Sequence, residues 1–215
     1  MAFVDVAQPA LRHWCGRGCG DAAGAVQNDP VIPDMSTKGR LLVATPPLGD
    51  ENFDRSVIYM LDHNTDGAVG VVLNRPSPEL EVEGLEEWGS VLSPPQAIFS
   101  GGPVEKDSLI AIGVAEGRND EAWGLLDAAI GTVDLSLRPD EVAEHVESLR
   151  IFSGYAGWTS GQLDAEMSLG AWMVFDARQE DIFTTDPTNL WRRVLRRQGG
   201  RTAWIANAPE DLSAN

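Results

Sequence analysis

Fifteen residues, RIFSGYAGWTSGQLD at 150–164, constrain this chain more than any other stretch. They join a β-prone entry (Ile151, Phe152), three glycines (Gly154, Gly157, Gly161), two aromatics (Tyr155, Trp158) and a polar exit into a helical pattern. Glycine permits sharp turns and close main-chain approaches that other residues resist. The run therefore reads as an elbow between a strand and a helix, with large side chains lying against it.

Composition narrows the class. The 215 residues are 43% hydrophobic, enough for a real core, and a chain of this size hides roughly 70% of its unfolded surface. Sixteen Lys and Arg face 33 Asp and Glu, a formal net charge of −17. Nucleic acid and anionic lipid are held mainly through cationic side chains, so such a chain repels both at long range. No run of 18 apolar residues occurs, and Met1–Ala10 lacks the basic start and apolar core of a signal peptide. A soluble cytoplasmic protein is expected, with no membrane contact. The only cysteines, Cys15 and Cys19, form H-x-C-x-x-x-C with His13. A structural zinc site needs four ligands, and only Asp21 stands nearby. No metal and no cofactor is expected, and both thiols read as free.

Residues 1–37 lack sustained periodicity and read as a poorly ordered extension. A single domain is expected over 38–205, followed by a tail at 206–215. Strand-length apolar runs occupy 40–45, 56–62, 68–74, 97–100, 109–114, 122–127, 132–135 and 171–177. Asp66-Gly67 between the second and third favours a positive-φ turn and hence a hairpin. Helices are expected at Pro139–Leu149, at Gln162–Leu169 behind a Thr159–Gln162 capping box, and at Pro187–Gln198 with Asp186 as N-cap. A looser one is expected over Glu79–Trp88. Strands gather early and helices late, so the class is α+β. Ile-Phe-Ser-Gly occurs twice, at 98–101 and 151–154.

The chain carries no nucleophile elbow, phosphate loop, zinc-protease or dinucleotide motif. His63 sits at a hairpin turn and reads as solvated, and His145 as a helix-surface residue. Asn74 and Arg75 end an apolar strand, where the arginine either pairs with an acid or reaches into a cleft to hold an anion. Gly101 and Gly102 either present main-chain N–H groups to an anion or form a tight loop between strands. Together with Tyr155, Trp158, Gln162 and Glu166 these residues make a ligand-site hypothesis, to be weighed against ordinary packing and turn formation. The enzyme alternative sets Glu166 or Asp164 as an acid–base group beside Arg75. Arg192, Arg193, Arg196, Arg197 and Arg201 line the polar face of an amphipathic helix, a solvated surface first and an anion or partner surface second.

Several of these segments recur together in order: GRLLVATP at 39–46, FDRSVI at 53–58, GAVGVVLNRP at 67–76, SGGPV at 100–104, RIFSGYAGW at 150–158 and QLDAE at 162–166. The set resembles the AlgH/YqgE family of small bacterial proteins over about residues 38–205. The resemblance implies an α+β fold with a twisted, partly barrel-like, mainly antiparallel or mixed β core and peripheral helices. It implies no activity. The label of transcriptional regulator attached to the family comes from a genetic link to alginate production. The expectation is a non-enzymatic module binding a small-molecule ligand or a protein in a regulatory or accessory role. The alternatives are a transcriptional regulator, direct or indirect, and an enzyme with an Arg/carboxylate site. Specific nucleic-acid binding is not expected.

Overall fold

The computed structural model describes residues 36–46, 50–77, 85–115, 123–127 and 129–209. Cys15, Cys19, His13, most of the expected N-terminal extension and residues 79–84 of the expected loose helix lie outside them. Ten strands form one curled, mixed sheet: β1 (Arg40–Ala44), β2 (Val57–Asn64), β3 (Gly67–Val72), β4 (Pro76–Ser77), β5 (Ile98–Ser100), β6 (Val104–Val114), β7 (Trp123–Asp127), β8 (Ile130–Val133), β9 (Ser148–Thr159) and β10 (Trp172–Asp176). Their spatial order is β10-β1-β2-β3-β9-β6-β8-β7, with β4 beside β5 and β5 beside β9. Among the described residues five helices lie around it: α1 (Pro139–Ala143), α2 (Gln162–Ser168), α3 (Gln179–Ile182), α4 (Leu190–Gln198) and α5 (Gly200–Ile205).

Strand β9 organises the molecule. Residues 148–155 pair with β6, residues 156–159 with β3, and Phe152 and Ser153 with β5. The β5–β9 pair is the parallel one, and it sets the two Ile-Phe-Ser-Gly copies side by side, Phe99 opposite Phe152 and Ser100 opposite Ser153. Their rings lie 5.9 Å apart.

This corrects the expected elbow. The chain does not turn at Gly154 or Gly157 but stays in one strand of 12 residues. Gly154, at φ +69, instead forms a bulge opposite residues 105–108 of β6. Strand pairing along three neighbours outweighs the local freedom of glycine, which is used here for close approach. A Cβ on Gly101 would meet the Gly154 carbonyl oxygen at 2.2 Å, and one on Gly102 the Tyr155 carbonyl carbon at 2.1 Å.

Other boundaries shift for similar reasons. The helix expected over Pro139–Leu149 ends at Ala143, because Ser148 and Leu149 are drawn into pairing with Val114 and Gly113. Residues 86–90 form a 3₁₀ turn. The helix after Asp186 starts at Leu190 rather than Pro187; Asp186 binds the Thr188 hydroxyl and the Asn189 amide, ordering the approach to the helix. Half of the expected capping box exists: Gln162 Oε1 accepts the Thr159 N–H at 3.1 Å. The helix itself begins behind Gly161.

Both faces of the sheet are covered, so β3 is buried along its whole length. Alternation along β1 divides the layers. Leu41 and Val43 join a cluster closed by Leu190, Trp191, Val194 and Leu195 of α4. Leu42 and Ala44 join another with Trp158, Leu163 and Trp172 under α2. A third cluster places Trp88, Leu92 and Val142 on Leu109, Ala111 and Ile151.

Candidate functional site

The three loop segments singled out in the sequence meet, and they meet through main chain. Val72 N–H donates to the Gly101 carbonyl, Ser100 N–H to the Arg75 carbonyl and Gly101 N–H to the Ser153 carbonyl, each within 2.9 Å. Asn74 uses both ends of its amide locally: Oδ1 accepts the Val57 N–H and Nδ2 donates to the Arg55 carbonyl, both at 2.9 Å. Arg75 donates to the Asp54 carbonyl at 3.2 Å. These contacts stitch the end of β3 to the segment entering β2.

The aromatic pair separates. Tyr155 and Trp158 stand three positions apart on one strand and therefore project to opposite faces. Tyr155 packs on the α4 side and Trp158 on the α2 side. Burial and Glu105, by its charge and a hydrogen bond, raise the Tyr155 phenol above its ordinary pKa. On the other face, Glu166 is a shared acceptor. Its Oε2 takes the indole N–H of Trp158 at 2.9 Å and of Trp172 at 2.8 Å, while Oε1 takes the Gln162 amide at 3.0 Å. Phe53 completes the group, 6.3 Å from Trp158 and 5.6 Å from Trp172 between ring centroids. Gln162, Glu166 and Trp158 are thus united, with all of these polar atoms engaged, while Arg75 is engaged with the Asp54 carbonyl.

Three of the five arginines are bound within the fold. Arg192 donates to the Ala206 carbonyl at 2.5 Å, and Arg193 to the Thr184 hydroxyl at 2.8 Å. Arg197 grips both oxygens of the fully buried Asp181 at 2.9 and 2.8 Å. Arg196 and Arg201 are exposed. So is Trp204, at 78%, three positions after Arg201 on α5 and on the same side of the helix. The sequence reading passed over Trp204; its spacing from Arg201 was the available signal.

Two other polar side chains are buried. Arg150 is 1% exposed; it donates to the carbonyls of Ile182, Thr184 and Pro94 and lies 4.3 Å over the Phe99 ring. Burial pushes its pKa down to about 10. His63, expected to be solvated, has a side chain only 8% exposed, covered by Thr37 and facing Asp164. Two open depressions of about 470 and 490 Å³ lie elsewhere, beside Arg178 and Phe183 and between Glu87 and Arg138. Among the described residues no group of three or more His, Cys, Asp or Glu could hold a metal ion. None of their helices is long and apolar enough to cross a membrane.

Comparison with known proteins gives a consistent pattern. A model of the AlgH-like family matches residues 41–203. A UPF0301 protein of Thermobifida fusca is 48% identical over 192 residues, covering 84% of this chain and 96% of its own length. One from Streptomyces coelicolor is 46% identical with the same coverage of both. The crystal structure of a Corynebacterium diphtheriae protein superposes with a TM-score of 0.74 at 28% identity, over 96% of this chain and all of that one. The solution structure of the AlgH protein from Pseudomonas aeruginosa gives 0.62 at 28% identity, over 87% of this chain and all of the other.

Proposed function

The chain belongs to the AlgH-like family, and from that premise we propose that it is a non-enzymatic, cytoplasmic protein-binding module with a regulatory or accessory role. The observation that carries the reading is the exposure of Trp204 beside Arg201 on α5, with Arg196 exposed on the adjoining α4. Tryptophan and arginine are the residues most enriched where partners bind tightly, because one supplies broad apolar contact and the other planar hydrogen bonding. In a chain of net charge −17 these cations stand out, and they favour an acidic partner surface. The helix pair is held rigidly from beneath by Arg192 on the Ala206 carbonyl and by the packing of Trp191, whose indole donates to the Ala44 carbonyl at 2.9 Å. A cytoplasmic setting fits a domain whose described part contains no cysteine and so is built without disulfides.

Asn74 holds main chain and Glu166 holds two indoles, so these polar groups serve the fold and favour a surface over an internal ligand site. Nucleic acid is the weaker partner class, because Arg192, Arg193 and Arg197 already serve contacts inside the fold. Arg196 and Arg201 remain of the series and offer few phosphate contacts, and each contact adds only about 0.9 to the salt slope.

Affinity capture from the native host, comparing the natural chain with a Trp204→Ala/Arg201→Glu double variant of unchanged melting temperature, tests this. Proteins retained by the natural chain and lost by the variant are expected. Identical captured sets, or a small molecule turned over by the purified protein, would sink the reading.

A further inference from the structure

His63 is the last-but-one residue of β2, and its surroundings select which ring nitrogen of the neutral imidazole carries the proton. The Thr37 N–H donates to His63 Nδ1 at 3.2 Å, and the Thr37 hydroxyl lies 3.1 Å from the same nitrogen. A main-chain N–H can only donate, so Nδ1 carries the lone pair and the ring proton sits on Nε2. That nitrogen faces Asp164 Oδ1 on α2 at 3.7 Å. Ser36 adds a hydroxyl donation to the His63 carbonyl at 3.0 Å. The chain entering the sheet is thus strapped to the β2–β3 hairpin around one imidazole, and Thr37 is 3% exposed.

We propose that this strap is a pH-sensitive latch. Protonating the ring places a hydrogen on Nδ1, where it meets the Thr37 N–H donor to donor. Thr37 then keeps its amide buried without an acceptor, or swings out. Asp164 faces the opposite ring nitrogen, Nε2, from α2. The charge of the ring and the attachment of the strap are therefore one equilibrium. Among the described residues, Asp62 and Asp66 on the hairpin, Asp164 and Glu166 on α2, and Lys38 on the strap are the charged groups of the elements around the ring; the paired stretch of β3 has none. Asp62 is engaged by the His63 N–H and the Asn64 amide, and Glu166 by the two indoles. Asp164 is left as the carboxylate facing the imidazole. The next tie along the chain, Gly39 N–H to the Met60 carbonyl at 2.9 Å, has no titratable member. Acidification consequently loosens Thr37 and leaves β1 in place.

Amide exchange of Thr37 in the full chain, followed by NMR from pH 8 to pH 5 and corrected for intrinsic rates, tests the latch, with Gly39 as internal control. Thr37 protection is expected to fall about five- to tenfold on acidification while Gly39 is unchanged. In His63→Asn, whose side-chain carbonyl can accept the Thr37 N–H without titrating, protection is expected to persist at both ends of the range. Equal Thr37 protection at pH 8 and pH 5 in the natural chain overturns the proposal. So does a His63→Asn variant with the same pH dependence as the natural chain.

Discussion

Replacing Glu166 by alanine removes one carboxylate and strands two buried indoles. Trp158 and Trp172 are 6% and 5% exposed, and both donate to the same oxygen at 2.9 and 2.8 Å. A buried donor left without an acceptor costs about 1–3 kcal/mol. Glu166 itself is half-buried, so water can enter part of the vacated space and each donor falls toward the lower half of that range. Adding the lost Gln162 bond gives a total of about 3 kcal/mol. For a domain of this size each kcal/mol moves the melting temperature by about 2–4 °C, so a fall of about 6–12 °C is expected. Glu166→Gln keeps a carbonyl oxygen for the indoles and should cost about 1 kcal/mol. Urea unfolding followed by indole fluorescence measures the stability, and near-ultraviolet circular dichroism reports whether the edge-to-face pair, 5.9 Å apart, loses its order. An alanine variant within about 0.5 kcal/mol of the natural protein, with an unchanged near-ultraviolet spectrum, would refute the idea that this carboxylate organises the α2 face.

Three further expectations follow from the same contacts. Gly101→Ala places a Cβ 2.2 Å from the Gly154 carbonyl oxygen, a main-chain atom that cannot swing aside, so the β5–β9 junction should lose about 1–3 kcal/mol or more in chemical denaturation; a neutral effect would show that the junction is looser than described. Asp181→Ala leaves Arg197, 16% exposed, without its carboxylate and should cost about 3–5 kcal/mol, whereas the double Asp181→Leu/Arg197→Met change should recover much of the loss; additive losses in that cycle would contradict the pairing. Tyr155 has a raised folded pKa, so its contribution is intact below the ordinary phenol value and is lost as pH rises through the higher folded one. Tyrosinate absorbance should show the Tyr155 transition above the ordinary phenol value, and Glu105→Gln should bring that transition to lower pH; no change in the variant would remove Glu105 as a cause.

Local pattern carried much of the fold. The runs at 40–45, 56–62 and 68–74 became β1 to β3 because β-branched density and an Asp-Gly turn are properties of neighbouring residues. Leu190, Trp191, Val194 and Leu195 likewise marked the buried side of α4 by spacing alone. What needed the folded molecule was everything set by distant partners. Gly154 and Gly157 look like turn residues until β3, β5 and β6 supply hydrogen bonds along the whole of β9. Ser148 and Leu149 continue a helical spacing until Val114 and Gly113 claim them. Glu166 is one acid among 33 acidic residues in the sequence, and only packing brings two indoles onto one of its oxygens. The arginine series looks uniform along the chain, yet α3 and the turn after α5 engage Arg193, Arg197 and Arg192 while Arg196 and Arg201 stay in solvent. His63 reads as a turn residue because Thr37 is 26 positions away. Periodicity is written over a few residues and survives translation into structure; the partner of a polar side chain is chosen by the chain's return from afar, and no local spacing encodes it.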